Sequence, residues 1–275
     1  MPEGDTVHKV ARRLAFELEG QDLRSVHARR LDASPLAGAR INAVISQGKY
    51  LSIVCDNGLT LRSHLGLYGA WHRYAPGEVW QRPPWQASVA LTTDAGVFVC
   101  FNAREVEIHA SDGWRHRDAQ ARLGPDLAHG RAPPADVLSR LQAFAGPATQ
   151  LVDLLLDQRI AAGIGNVYKC EVLFLSSQSP LARGGDLPPE VLLALYDLAS
   201  DLIRANLGRG PRVTRSPPDG RCGLWVYGRA GEPCLRCGTL IRYDRLGARP
   251  RATYWCPACQ TLGRASAGAV PGAMV

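Results

Sequence analysis

Residues 234–259 read CLRCGTLIRYDRLGARPRATYWCPAC, two Cys-x2-Cys pairs separated by eighteen residues. The spacing predicts a four-cysteine zinc ribbon, in which Cys234, Cys237, Cys256 and Cys259 bring four thiolates to a tetrahedral ion and fold a hairpin too small to have its own core. A redox pair is the alternative reading of a Cys-x2-Cys pair. Zinc held this way is structural, because four thiolates leave no coordination position for water. Catalysis must then come from elsewhere in the chain. Arg242, Arg245, Arg249 and Arg251 fall on the turn of the expected hairpin, and a planar guanidinium fork suits phosphate.

The surrounding charge points the same way. The 275-residue chain carries a formal +7, and residues 204–251 hold eleven arginines against three acids (Asp219, Glu232, Asp244), a local +8 that leaves the rest at −1. A basic surface of this kind suits a polyphosphate partner, since each neutralised phosphate releases counterions; a solvated arginine-rich face is the bland alternative. Eight cysteines in a chain this long that opens Met1-Pro2-Glu3-Gly4-Asp5, without the basic start of an export signal, argue for reduced thiols and metal ligation over a disulfide framework. No apolar run of eighteen or more residues occurs. A soluble, cytoplasmic, nucleoid-associated monomer without membrane contact is expected.

Towards the N-terminus, Val7, Val10, Leu14 and Leu18 share one helical stripe, predicting an amphipathic helix over 5–19. From Ile41 to His109 the pattern turns into short β-type runs: 41–45, 50–55, 60–64, 70–73, 88–91, 97–101 and 106–109, punctuated by turns such as Asp56-Asn57-Gly58 and Asp94-Ala95-Gly96. Seven strands imply a β-sandwich or barrel. Pro125 to Ala135 reads as a linker, after which helical periodicity covers 136–145, 148–156, 166–175 and 189–206. The expected organisation is an N-terminal catalytic β domain over 1–124, a linker over 125–135, a helical domain over 136–223, the ribbon over 224–262 and a disordered tail over 263–275.

Two further features bear on chemistry. Gly163-Ile164-Gly165-Asn166 sets two glycines immediately before a helix, where exposed N–H groups bind anions and Asn166 adds an amide donor; alone, such a pair is more often a tight turn. At the N-terminus, removal of Met1 would expose Pro2 as a secondary amine with an ordinary pKa near 8, so that an appreciable neutral fraction exists at neutral pH. A neutral secondary amine attacks a sugar C1′ and forms an iminium, and Glu3 beside it can move a proton.

Taken in order, Pro2-Glu3-Gly4, Gln47-Gly48-Lys49-Tyr50-Leu51, Ser63-His64-Leu65-Gly66-Leu67-Tyr68-Gly69, Gly163-Ile164-Gly165-Asn166-Val167-Tyr168, Gly231-Glu232-Pro233-Cys234 and Arg251-Ala252-Thr253-Tyr254-Trp255-Cys256 resemble the formamidopyrimidine-DNA glycosylase and endonuclease VIII family up to about residue 260. The resemblance implies an α+β multidomain protein: an N-terminal β-sandwich with a flanking helix, a helical helix-two-turn-helix domain and the zinc ribbon, with damaged DNA as partner. It implies that Pro2 is the nucleophile and Glu3 the assisting acid, that Lys49 holds the lesion backbone and shuttles protons, and that Asn166 and Arg251 clamp the phosphates flanking an extruded nucleotide, Arg251 counting with the catalytic set. Leu67 and Tyr68 fall where the family places a wedge that fills the space left by the flipped base. Lys169 is assigned to the DNA-binding face, and Glu171 matches a family carboxylate expected to position the Pro2 amine.

The chain also departs from the pattern. Thr6, beside Asp5, occupies the position of a second carboxylate found in many members, and Gly66 replaces a polar wedge residue of endonuclease VIII. The stretch 208–226 is short for a lesion-capping loop, and Asn102-Ala103-Arg104 lacks the insertion of the 8-oxoguanine enzymes. Both absences favour the endonuclease VIII branch, hence oxidised pyrimidines. The expected activity is a bifunctional glycosylase and abasic-site lyase working by β,δ-elimination; the alternatives are a non-catalytic damaged-DNA-binding protein and a lyase acting mainly on pre-existing abasic sites.

Overall fold

The stripe at the N-terminus forms helix α1, Gly4–Leu18, which buries Val7, Ala11, Leu14 and Leu18 and leaves Arg12 and Arg13 outside. At their spacing these four residues lie on one face, and full burial of each leucine stabilises by about 2 kcal/mol. The computed structural model describes residues 1–113, 121–215 and 223–262; the expected tail over 263–275 lies outside the described residues. The chain divides into two compact units, Met1–Arg122 and Leu123–Val275.

In the first unit, α1 packs on strand β2 (Ile41–Gln47) of an antiparallel sheet ordered β2-β3-β4-β8, with β3 Tyr50–Cys55, β4 Leu59–His64 and β8 Glu105–Ala110. A second antiparallel sheet is ordered β1-β6-β7-β5, with β1 Ser25–Ala28, β5 Ala70–Tyr74, β6 Ala87–Thr93 and β7 Gly96–Phe101. Ile41, Leu51, Ile53 and Leu61 from the first sheet share one core with Trp71, Val89, Leu91, Phe98 and Cys100 from the second. Period-2 alternation places those residues on the inner faces, and the unit is a β-sandwich with a flanking helix. Eight strands are described where the sequence suggested seven. Strand β1 is too short for alternation to register and exists because it pairs with β6, Val26 opposite Leu91.

In the second unit, α2 (Pro134–Phe144), α3 (Leu151–Leu156), α4 (Asn166–Leu175) and α5 (Pro189–Ala205) surround a core that includes Val137, Leu141, Leu155, Val172, Leu195 and Ile203. Helices α2 and α5 each open on a proline, whose fixed φ suits the first turn and whose missing N–H would be unpaired there anyway. Helix α3 begins at Leu151, three residues later than the periodicity suggested, because Gln150 bridges to Arg183 and the Leu151 N–H donates to the Ala182 carbonyl. The segment read as a linker buries Leu127, Ala128 and Ala132 in this core, and the Ser200 hydroxyl holds the Leu127 carbonyl at 3.0 Å. The last described element is an antiparallel hairpin of β9 (Arg242–Leu246) and β10 (Arg251–Trp255). The mixed α+β organisation is therefore the one expected.

Candidate active site and nucleic-acid interface

In the first unit, chemistry collects around the start of α1. Glu3 is the residue that caps the helix, its carbonyl accepting from the Val7 N–H at 3.0 Å, and its side chain is wholly buried. Pro2 is half-buried immediately before it. Asp5 is 1% exposed; Thr6 Oγ1 donates to its carboxylate at 3.4 Å and Lys9 Nζ lies 3.8 Å away. A buried carboxylate thus lies directly before Thr6, the position where the resemblance expects a second acid.

Lys49 sits on the two-residue turn between β2 and β3, closed by the Gln47–Tyr50 pair. Strand register then sets Tyr50 against His64 and His64 against Glu105, with the Tyr50 and His64 rings 4.9 Å apart and the Arg62 guanidinium 3.6 Å from the Tyr50 ring centre. Burial pushes the His64 imidazole down to about 4, with Lys49, Arg104 and Arg62 pushing the same way and Glu105 opposing them. The ring is neutral at pH 7, and its Nδ1 accepts the Gly66 N–H at 3.1 Å, which leaves the proton on Nε2 as a donor.

That bond anchors the turn carrying Leu67 and Tyr68, which are 54% and 77% exposed while neighbouring Leu65 and Trp71 are buried. The Gly69 N–H reaches the Leu65 carbonyl at 3.0 Å and Arg82 donates to the Tyr68 carbonyl at 3.2 Å. Gly66 has φ +65°, and a Cβ there would lie 2.9 Å from Arg104 Cβ, so both backbone and space require glycine. Two large apolar side chains are held outward on a braced turn. His64 and Arg82 were not singled out from sequence; the first lies inside a quoted motif and the second twelve or more residues beyond the turn it supports.

In the second unit, helices α3 and α4 are joined by 157–165, and the Gln158 side chain is the template for that connection. Its Nε2 donates to the Leu156 and Ile164 carbonyls at 2.9 and 3.1 Å, and its Oε1 accepts the Gly163 N–H at 3.0 Å. Gly163 takes φ +114°. Gly165 is the capping residue and Asn166 the first helical one, and Asn166 stays half-exposed while the other residues of 161–170 are buried. Arg251 opens β10, opposite Leu246, and is exposed.

The Lys169 assignment changes, and Glu171 sits in a closed hydrogen-bond network of its own. Lys169, expected on the DNA face, is fully buried, and its Nζ donates to the Ala252 carbonyl and Thr253 Oγ1, both at 2.9 Å. One turn beyond Asn166, the helix packs against β10, so this side chain points into protein. Glu171, expected to position Pro2, is also fully buried. Its carboxylate accepts N–H bonds from Trp225, Val226 and Tyr227 at 2.8 to 2.9 Å and a bond from the Thr214 hydroxyl. Four donors occupy both oxygens, so the group organises backbone within its own unit.

Cys234, Cys237, Cys256 and Cys259 place their sulfurs within 4.8 Å of one another, with Cys234–Cys259 at 3.9 Å and Cys237–Cys256 at 3.4 Å. A tetrahedron of thiolates about 2.3 Å from zinc has edges near 3.8 Å, so the residues fit the ion. The Arg236 N–H lies 3.4 Å from Cys234 Sγ and the Cys234 N–H 2.8 Å from the Thr239 carbonyl, the backbone support a knuckle needs.

Comparison with known proteins agrees with this geometry. The formamidopyrimidine-DNA glycosylase N-terminal domain matches residues 1–106, and the zinc finger found in FPG and IleRS matches residues 231–262. The chain is 40% identical over 267 residues to the probable endonuclease 8 2 of Streptomyces coelicolor, covering 94% of each. It is 38% identical to the DNA-(apurinic or apyrimidinic site) lyase Nei2 of Mycolicibacterium smegmatis, covering 95% of this chain and 99% of that one. The crystal structure of MutM (Fpg) from Thermus thermophilus superposes with a TM-score of 0.77 at 29% identity, covering 94% of this chain and 98% of that one. With near-complete coverage at this identity, the chain belongs to the formamidopyrimidine-DNA glycosylase and endonuclease VIII family of DNA-repair enzymes.

Proposed function

We propose that the protein excises oxidised bases from DNA, pyrimidines foremost, and cleaves the resulting abasic site through a Schiff base on Pro2 exposed by loss of Met1. The observation that carries this reading is the buried Glu3 carboxyl at the cap of α1, directly after Pro2. A nucleophilic amine and its proton-transfer partner are thereby fixed on one rigid helix start, where orientation is set before substrate arrives.

The Pro2 nitrogen bonds to C1′ as the glycosidic bond breaks, and the base leaves with the electron pair and a proton. Glu3 protonates O4′ as the sugar ring opens, giving an iminium between Pro2 and C1′. Loss of a C2′ proton expels the 3′ phosphate, a further elimination expels the 5′ phosphate, and water releases the amine. Lys49 and the Nε2–H of His64 offer donors to the lesion backbone from the first unit; Asn166 and Arg251 offer donors from the second. Leu67 and Tyr68 fill the stack while the damaged nucleotide is extruded. Cys234, Cys237, Cys256 and Cys259 would hold zinc, which would brace the Arg251 hairpin and, with four thiolates on it, offer no open position for the chemistry.

The name endonuclease 8 on similar proteins supports the pyrimidine branch. A second reading, a lyase confined to pre-formed abasic sites, is favoured by Thr6 at the second-carboxylate position and by the name of the Mycolicibacterium relative. A panel of oligonucleotides with one defined lesion each, single- and double-stranded, scored for nicking and borohydride capture, separates the two. Excision of an intact oxidised pyrimidine supports the main reading; cleavage of abasic sites with intact lesions untouched supports the second; capture of neither refutes both.

A further inference from the structure

Lys169 is a fully buried lysine in a protein with three lysines, and its position explains more than burial. It lies one helical turn after Asn166, and its Nζ donates at 2.9 Å both to the Ala252 carbonyl and to Thr253 Oγ1. Thr253 is itself fully buried and donates its hydroxyl to the Arg251 carbonyl at 2.9 Å. A hydroxyl has one proton to give and lone pairs to receive, so the ammonium fixes the direction of the Thr253 O–H and through it the Arg251 backbone. The next helix residue continues the register, with the Tyr254 N–H 3.4 Å from Cys170 Sγ. At the far end of the hairpin, Asp153 on α3 accepts the Ala248 N–H at 2.9 Å.

Arg251 is exposed at the start of β10, on a hairpin whose outer strand β9 pairs with β10 alone among the described residues. Its side chain can be aimed only if the backbone beneath it is held. A buried ammonium is costly to keep and is retained in folded proteins when hydrogen-bonded throughout; a leucine would pack the same space but would leave both acceptors unpaired. We propose that Lys169 is a positioning residue that sets the distance between Asn166 and Arg251, so that the two meet successive phosphates of the damaged strand without reordering on binding. The inference rests on the reading of Arg251 as a phosphate clamp.

The test is a double-mutant cycle on binding to a duplex carrying an uncleavable abasic-site analogue, measured across a salt series, with zinc content and thermal unfolding recorded for each protein. Arg251→Ala should weaken binding about tenfold and reduce the slope of log K against log salt by about 0.9, one phosphate contact. Lys169→Met, which touches no phosphate, should reproduce most of both effects in the parent protein and change affinity by less than about twofold in the Arg251→Ala background. Thr253→Val, a milder change of the same link, should move the slope in the same direction and keeps the test available if Lys169→Met fails to fold. Equal losses from Lys169→Met in both backgrounds, or an unchanged salt slope in both Lys169→Met and Thr253→Val, would overturn the proposal. An Arg251→Ala protein that binds like the parent would instead overturn the clamp reading on which it rests.

Discussion

Replacing Glu171 by glutamine changes the acceptor count at a point where the structure needs all of it. The carboxylate receives the N–H groups of Trp225, Val226 and Tyr227 and the Thr214 hydroxyl. A glutamine of the same shape keeps one acceptor oxygen and turns the other end into a donor facing donors. Two bonds to a charged acceptor are lost, each worth about 1.5 kcal/mol or more, and the Val226 N–H has no water to turn to because its residue is fully buried. The expected loss is about 3 kcal/mol in the second unit, a fall of roughly 6 to 12 °C in its unfolding temperature. Urea unfolding followed by fluorescence gives the energy, and hydrogen exchange localises it: the amides of 225–227 should lose protection before those of α5. A Glu171→Gln protein that unfolds within about 0.5 kcal/mol of the parent, with those amides still protected, would refute the reasoning. If it also lost strand cleavage, Glu171 would belong to the chemistry after all.

The remaining predictions concern other parts of the two units. His64 titrates in the unfolded chain near 6.5 but in the fold only at about 4, so the unfolded state binds the extra proton between those values and stability falls as pH drops through this window; the difference in unfolding energy between parent and His64→Gln should narrow by about 2 kcal/mol from pH 7 to pH 4.5, less where residual exposure screens the ring, and a constant difference would refute the assignment. Leu67→Ala and Tyr68→Ala should unfold within about 0.5 kcal/mol of the parent, since both side chains are exposed, while base extrusion, read by a fluorescent base beside the lesion, falls about tenfold. Removing zinc with a chelator should open the β9–β10 hairpin to proteolysis at Arg242, Arg245 and Arg251 and abolish damaged-DNA binding; full activity with less than one zinc per chain would contradict its structural role.

Legibility in the sequence followed the range of the forces involved. Strand β3 and helix α4 have the bounds read from their patterns, Tyr50–Cys55 and Asn166–Leu175, because a period of 2 or 3.6 and the turn residues flanking it are local. The ribbon was equally legible, since ligand spacing is itself the geometry. Strand β1 was invisible because four residues carry no alternation and its existence depends on β6 some sixty residues later. The resemblance puts Lys169 on the DNA face and Glu171 near the Pro2 amine, and a charged side chain on a helix is normally solvated. What overrides that expectation lies far along the chain: Ala252 and Thr253 for the first, Thr214 and Trp225 to Tyr227 for the second. Gln158 and His64 act by hydrogen-bonding backbone in a neighbouring turn, and no residue pattern announces that a polar side chain will be used in this way.

The nucleophile is tested most directly by where the sugar ends up. Borohydride reduction of the protein on duplex DNA bearing an oxidised pyrimidine, followed by digestion and mass spectrometry, should find the deoxyribose remnant on the nitrogen of Pro2 in a peptide that has lost Met1. An adduct on Lys49 or on any other amine, or full cleavage activity by a protein that still carries Met1, would contradict the account.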